Sequence, residues 1–216
     1  MIVDLVDAMR CVRPHAPTAL ITTVDQLSGR HIITGTLGCP VCDARYRVID
    51  GAAAFDPAFY ARYLAERAMP PAEDGDVIRV AALLDLTDPA GLVLLEGATA
   101  AVGPSLHARF GTALVLFNPT GPLPGDVEWS LVFGPLAPFA PGTLRGAALS
   151  MASGPDAIAS VTAALRPGGR LMAPLSLPVP PGISELARDA HGWVGARQVE
   201  QSAVPVSLSR APRQPS

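Results

Sequence analysis

Between residues 77 and 200, short apolar runs alternate with helix-like stretches, and this rhythm limits the fold more than any other feature of the chain. Leu92–Leu95, Ala113–Phe117, Ser130–Phe133, Leu144–Leu149, Arg170–Ala173 and Gly192–Val199 read as strands. Val77–Leu86, Val102–Phe110, Pro155–Leu165 and Ile183–Ala190 read as helices, Pro155 opening the third and Pro167-Gly168-Gly169 closing it. Apolar runs with almost no polar interruption suit strands buried on both faces. Strands of that kind alternating with helices predict an α/β fold with a mostly parallel, Rossmann-like sheet.

Residues 1–55 follow a different pattern. Ile2–Met9 predicts a short apolar helix leading to Cys11. Leu20–Val24 and His31–Thr36 flank the polar, Gly-containing segment Asp25–Arg30 and read as a hairpin. Leu37-Gly38-Cys39-Pro40-Val41-Cys42 comes next, then a strand at Tyr46–Ile49 closed by Asp50-Gly51. Phe55, Phe59, Tyr60, Tyr63 and Leu64 recur at helical spacing and predict a connecting helix over 56–68. Met69–Asp76, rich in Pro and acid, reads as the linker. The expected organisation is a cysteine module at 1–55, a helix and linker at 56–76, an α/β domain at 77–200 and a Pro/Arg tail at 201–216.

Composition removes several function classes. Only 16% of the 216 residues are charged, against a usual quarter, and every basic residue is Arg. Without Lys there is no P-loop lysine, no Schiff-base lysine and no kinase-type lysine. A net charge of −3 gives no electrostatic case for nucleic acid. No apolar run reaches the length of a membrane span, and the acidic start Met1–Arg10 lacks the basic region of a secretory signal. A cytoplasmic protein is expected, free or peripheral to a membrane complex. No nucleophile elbow, Walker motif, His-Glu-x-x-His or Gly-x-Gly-x-x-Gly occurs. Trp129 and Trp193 read as core or interface anchors.

Cys39-Pro40-Val41-Cys42 is a Cys-x2-Cys knuckle, a spacing that presents two thiolates to one tetrahedral metal ion. Cys11 supplies a third ligand, and His15 of Cys11-Val-Arg-Pro-His15 a fourth, with His31 as a competitor for that place. Three cysteines in a cytoplasmic chain fit metal better than a disulfide. Free buried thiols and a redox pair remain the alternatives. Four protein ligands would close the site and make its zinc structural.

The segments LVDAMRC (Leu5–Cys11) and LGCPVCDARYRVIDG (Leu37–Gly51) resemble the small zinc-ribbon proteins that activate tRNA and protein methyltransferases. The first knuckle departs from that family, with Cys-x3-His in place of Cys-x2-Cys, and Ala52-Ala53 stands where Ile-Pro often follows Asp-Gly.

Residues 77–200 resemble a short class I S-adenosylmethionine (SAM) methyltransferase. LRPGGRLMAP (Leu165–Pro174) matches the helix–turn–strand that follows the fourth strand, and Pro138-Phe139 matches a family Pro-Phe pair. Val93–Gly103 falls where the family carries strand, acid and Gly-x-Gly. The resemblance implies cofactor contacts at Glu96, Gly97 and Asn118. It also exposes departures. Ala98 and Ala100 replace the two loop glycines, so that each Cβ is expected to intrude on the cofactor. Asn118 replaces the acid that takes the ribose hydroxyls. Gly134-Pro135 replaces Gly-Asp, and Leu144-Arg145 replaces Phe-Asp. SAM binding is therefore not expected. Catalytic candidates reduce to His107, His191, Glu96 and Asp189, none in a recognisable catalytic pattern. The sequence points to a non-catalytic accessory or scaffold subunit with a zinc ribbon and a degenerate methyltransferase fold, and a SAM-dependent methyltransferase is the alternative. Low charge favours a protein partner in a larger complex. The tail at 202–216, with two Arg and no acid, is expected to lie against that partner.

Overall fold

The computed structural model describes residues 1–122 and 129–198. The tail, expected at a partner surface, lies outside the described residues. A short helix α1 (Leu5–Ala8) precedes β1 (Ile21–Ser28), β2 (His31–Gly38), β3 (Arg45–Ile49) and β4 (Ala52–Ala54). Helices α2 (Pro57–Ala65) and α3 (Asp74–Leu83) follow, then β5 (Leu92–Glu96), a 3-10 helix at Gly97–Val102, α4 (Gly103–Phe110), β6 (Ala113–Phe117) and β7 (Ser130–Phe133). The chain continues through β8 (Leu144–Ala148), α5 (Pro155–Ala164), β9 (Leu165–Ala173), β10 (Ile183–Arg188) and β11 (Trp193–Arg197).

All of these strands join one sheet in the order β1-β2-β3-β4-β7-β6-β5-β8-β9-β11-β10. From β4 to β9 every pairing is parallel, and the pairings at both margins are antiparallel. The fold is mixed α/β with a largely parallel core, as the sequence rhythm predicts. Numbered from β5, the central strands run 3-2-1-4-5, a doubly wound order whose switch point lies between β5 and β8. The N-terminal β module is continuous with this sheet, because Ala52–Ala54 pairs in register with Leu131–Phe133.

Alternation along the buried strands supplies two cores. Leu94, Val115, Phe117 and Val132 face Val161 of α5 and the N-terminal residues Met1, Leu5 and Met9. Val93, Leu95, Leu116 and Phe133 face Tyr60 of α2, Val77 and Val80 of α3, and Leu106 of α4. The period-two pattern thus buries both faces of each central strand.

Local chemistry sets the boundaries. The β1–β2 hairpin turns through Gly29-Arg30, with Gly29 at φ 55°, as primed hairpin turns require. Asp56 caps α2 by accepting from Ala58 N–H at 2.9 Å, and Pro57 occupies the first helical position.

Two expectations need correction. Ile183–Ala190 is not a helix: Ile183–Arg188 forms β10, paired with β11. Leu186 is 55% exposed, and ladder pairing with β11 decides the conformation here. The helix expected at Val102–Phe110 is present as α4, and a 3-10 helix over Gly97–Val102 leads into it. Pro167-Gly168-Gly169 is not a separate turn, because β9 begins at Leu165. Residues 166–169 form an irregularity between the Leu144↔Leu165 and Gly146↔Arg170 pairs. Gly169 is required there, since a Cβ would lie 2.8 Å from Arg166 O and 2.9 Å from Arg145 O.

Candidate metal cluster and strand-end crevice

Two loops bring the cysteine–histidine set together. Cys11 N–H donates to Thr18 O at 2.9 Å and closes the first loop; Cys39 N–H donates to Ala44 O at 2.9 Å and closes the knuckle. The ligand atoms of Cys11, His15, Cys39 and Cys42 all lie within 4.8 Å of one another. Cys11 Sγ is 3.7 Å from Cys42 Sγ, and Cys39 Sγ is 3.4 Å from His15 Nε2. A tetrahedron with Zn–S of about 2.3 Å and Zn–N of about 2.0 Å has S···S edges of about 3.8 Å and S···N edges of about 3.5 Å. The four groups therefore fit a single tetrahedral ion and could hold one. His31, the competitor, is not among them.

The surroundings prepare the ligands. His15 Nδ1 lies 2.7 Å from Ala16 O, so this nitrogen carries the proton and Nε2 keeps its lone pair for the cluster. Tyr46 Oη is 3.2 Å from Cys11 Sγ. Burial works to raise the Cys11 thiol, but hydrogen bonds from Tyr46, the Arg13 backbone, Cys39 and Cys42 outweigh it, and its pKa falls below the ordinary value. At Cys42 a backbone bond at Ala44 lowers the thiol, while burial and the neighbouring Cys39 and Cys11 prevail and raise it. The two thiols are thus pushed in opposite directions, a conflict that a bound cation would relieve.

The second feature is a crevice of about 410 Å³ beyond the carboxyl ends of β5, β6 and β7. Glu96, Gly97 and Asn118, the expected cofactor residues, all line it. Helix α2 forms its roof through Phe59, Arg62, Tyr63 and Glu66, a contribution the sequence reading did not foresee. The aromatic run of that helix was the available signal. Asp156, in the first turn of α5, completes the wall.

Much of the polar capacity at these strand ends is engaged within the protein. Glu96 is buried, and its Oε2 accepts from Ser150 N–H at 2.9 Å, Ser150 Oγ at 2.7 Å and Ser153 Oγ at 2.6 Å. This carboxylate ties β5 to the loop after β8, across the switch point. Asn118, at φ 46°, donates from Nδ2 to Gly134 O at 2.7 Å and accepts from Gly134 N–H at 2.9 Å. Gly97 has φ 60°, and a Cβ would lie 2.4 Å from Ser150 Oγ. This glycine therefore serves the close approach of β5 and the Ser150 loop.

Two inferences from the resemblance do not hold in three dimensions. Ala100 is wholly buried in the core beside Leu95 and Leu106, and neither its methyl nor that of Ala98 lines the crevice. Ala98 faces a neighbouring groove of about 690 Å³ with Val80, Met151 and Met172. These two methyls therefore give no ground for excluding SAM. Arg145 stands near the opposite end of β8 from the crevice. It is buried and donates to Asp85 O, Asp88 O and Ala90 O, fastening the loop before β5.

The remaining catalytic candidates are dispersed. His107 Nδ1 lies 3.0 Å from Thr112 O on α4. Asp189 accepts from Arg79 at 2.5 and 2.9 Å, and the Arg79 guanidinium with the His191 and Gly192 N–H groups holds its carboxyl well below the usual range. His191 lines the groove beside Ala98, not the crevice. Among the described residues no helix is long and apolar enough to cross a membrane.

No family model matches the sequence, and no curated protein does. Solved structures of methyltransferases do resemble the chain. One is a geranyl diphosphate methyltransferase in complex with GPP and sinefungin, at 17% identity and TM-score 0.38, covering 47% of this chain and 44% of that protein. Another is the geranyl diphosphate C-methyltransferase of Streptomyces coelicolor A3(2) with Mg²⁺, geranyl-S-thiolodiphosphate and S-adenosyl-L-homocysteine, at 14% identity and TM-score 0.38, covering 47% of this chain and 43% of that protein. The chain spans less than half the length of each.

Proposed function

We propose that this chain is a non-catalytic accessory or scaffold subunit of a larger cytoplasmic assembly. In this reading a structural zinc ion is held by Cys11, His15, Cys39 and Cys42. One observation carries the non-catalytic part. At the strand ends, where a SAM-type cofactor would need polar partners, Glu96 Oε2 accepts three hydrogen bonds and the Asn118 amide is paired with Gly134. Zinc suits three thiolates and one imidazole in a closed tetrahedron, and such a site stabilises the fold and performs no chemistry. Surface for a partner is available on the edge strand β1, where Ile21, Val24 and Leu27 are 62%, 44% and 53% exposed.

A second reading, SAM-dependent methyl transfer to an acceptor of unknown class, is favoured by a specific observation. The crevice is open, lies next to the switch point, and at about 410 Å³ falls within the range of small-ligand sites. Calorimetric titration of the zinc-loaded protein with SAM, and separately with S-adenosylhomocysteine, separates the two. The scaffold reading expects no binding heat up to millimolar ligand. Micromolar affinity for either ligand would sink it and leave the enzyme.

A further inference from the structure

Tyr46 touches the metal cluster on one side and Phe55, two residues before α2, on the other. Its hydroxyl lies 3.2 Å from Cys11 Sγ. Its ring is buried, with its centroid 4.4 Å from that of Phe55. Phe55 leaves β4 and donates its N–H to Phe133 O at 2.7 Å; Asp56 N–H reaches the same carbonyl at 3.2 Å. Asp56 then caps α2, whose Tyr60 and Tyr63 rings pack 5.3 and 5.0 Å from Phe133. This path runs from the cluster to the helix above the crevice through hydrogen bonds and ring contacts, partly buried at Cys11 and Tyr46 and exposed at the Asp56 cap.

We propose that Tyr46 is a positioning residue that couples the metal cluster to the crevice roof. The inference rests on reading the cluster as a metal site. A metal-bound Cys11 thiolate has no proton to give, so the phenol donates and Sγ accepts. That bond fixes the direction of one thiolate and offsets part of the charge that three thiolates bring to one ion. Hydrogen bonds to metal ligands of this kind typically set metal affinity by 10–100-fold. The ring meanwhile holds Phe55, and with it the point where α2 begins. Ordering of the two ligand loops by a metal is thereby transmitted to α2.

The test uses the full chain loaded with Co²⁺ or Zn²⁺. Tyr46→Phe removes the hydroxyl and keeps the ring; Tyr46→Leu removes the ring. In Tyr46→Phe the thiolate-to-cobalt absorption band shifts and metal affinity, read by chelator competition, falls about 10-fold or more. Amide exchange over residues 57–65 stays at the wild-type level while Zn²⁺ is bound. In Tyr46→Leu, exchange over 57–65 rises even with Zn²⁺ bound. Chelation of the wild type raises it at least about 10-fold, the change expected for a loss of roughly 1.4 kcal/mol of local stability. A Tyr46→Phe protein with the wild-type cobalt spectrum and affinity overturns the proposal, as does a metal-binding wild type whose α2 exchange ignores chelation. A wild type that takes up neither ion overturns the metal reading itself, an outcome distinct from metal binding without coupling.

Discussion

Glu96 shows how one residue can look like a ligand and act as a fastener. Its position at the end of β5 was legible from the acid that follows an apolar run. Its partners were not, because Ser150 and Ser153 lie 54 and 57 positions away and nothing local marks them. Removing the carboxylate would strand the three donors. Glu96→Ala should therefore cost about 2–4 kcal/mol in urea unfolding, in line with the loss of buried charge-assisted hydrogen bonds. Gly97→Ala should cost at least about 1 kcal/mol by the same measurement, because it adds a clash at Ser150 Oγ to a left-handed backbone. The grouping of the three cysteines was legible, and the structure places His15 with them and not His31. The Cys-x2-Cys and Cys-x3-His spacings are local, and short loops leave side chains few other places to go. Asp189 gives a pH-dependent prediction. Its folded pKa is depressed, chiefly by Arg79, so its contribution is present above the ordinary carboxylate range near 4 and is lost as pH falls through the folded value. Asp189→Asn should lower the melting temperature at pH 7, and the gap to wild type should narrow progressively as pH falls below about 4.

Elements were read well where one pattern governed them and poorly where pairing did. Ala113–Phe117 and Ser130–Phe133 have the expected boundaries, because a run buried on both faces carries a strong apolar signal. The edge strand β10 was misread as a helix, since five of its six residues are exposed and no core face prints a period on the sequence. The 3-10 helix after β5 was hidden for another reason. Its Gly-Ala-Thr-Ala-Ala-Val sequence is small and nearly featureless, with no apolar period to mark a helix. Helix α2 was anticipated, but its place over the crevice depends on β4 joining β7, a long-range pairing. The cap of α2 can be tested on its own. Asp56→Ala should destabilise the protein by about 1 kcal/mol in chemical denaturation, the usual value of an N-cap, with local exchange of α2 rising first.

At the scale of the molecule, the sheet accounts for the apolar runs of its central strands. Helices and the N-terminal segment cover the central strands on both faces, so long apolar runs are consumed without a membrane. The sequence alone separated a cysteine module from an α/β region by composition. It could not reveal that Ala52–Ala54, three small residues without a distinctive pattern, would pair with β7 and carry one sheet through both. This continuity is the centre of the account: the Cys/His cluster belongs to the module whose sheet continues into the parallel α/β core. Trp129 and Trp193 are both buried and both belong to the α/β part. Thermal unfolding followed by their fluorescence, with zinc loaded and with zinc chelated, is the most direct test. The account predicts one transition in each state, with the chelated midpoint lower by several degrees, as expected when an ion bound only by the folded chain is withdrawn. A tryptophan transition unmoved by chelation, in protein shown to have carried zinc, would contradict it.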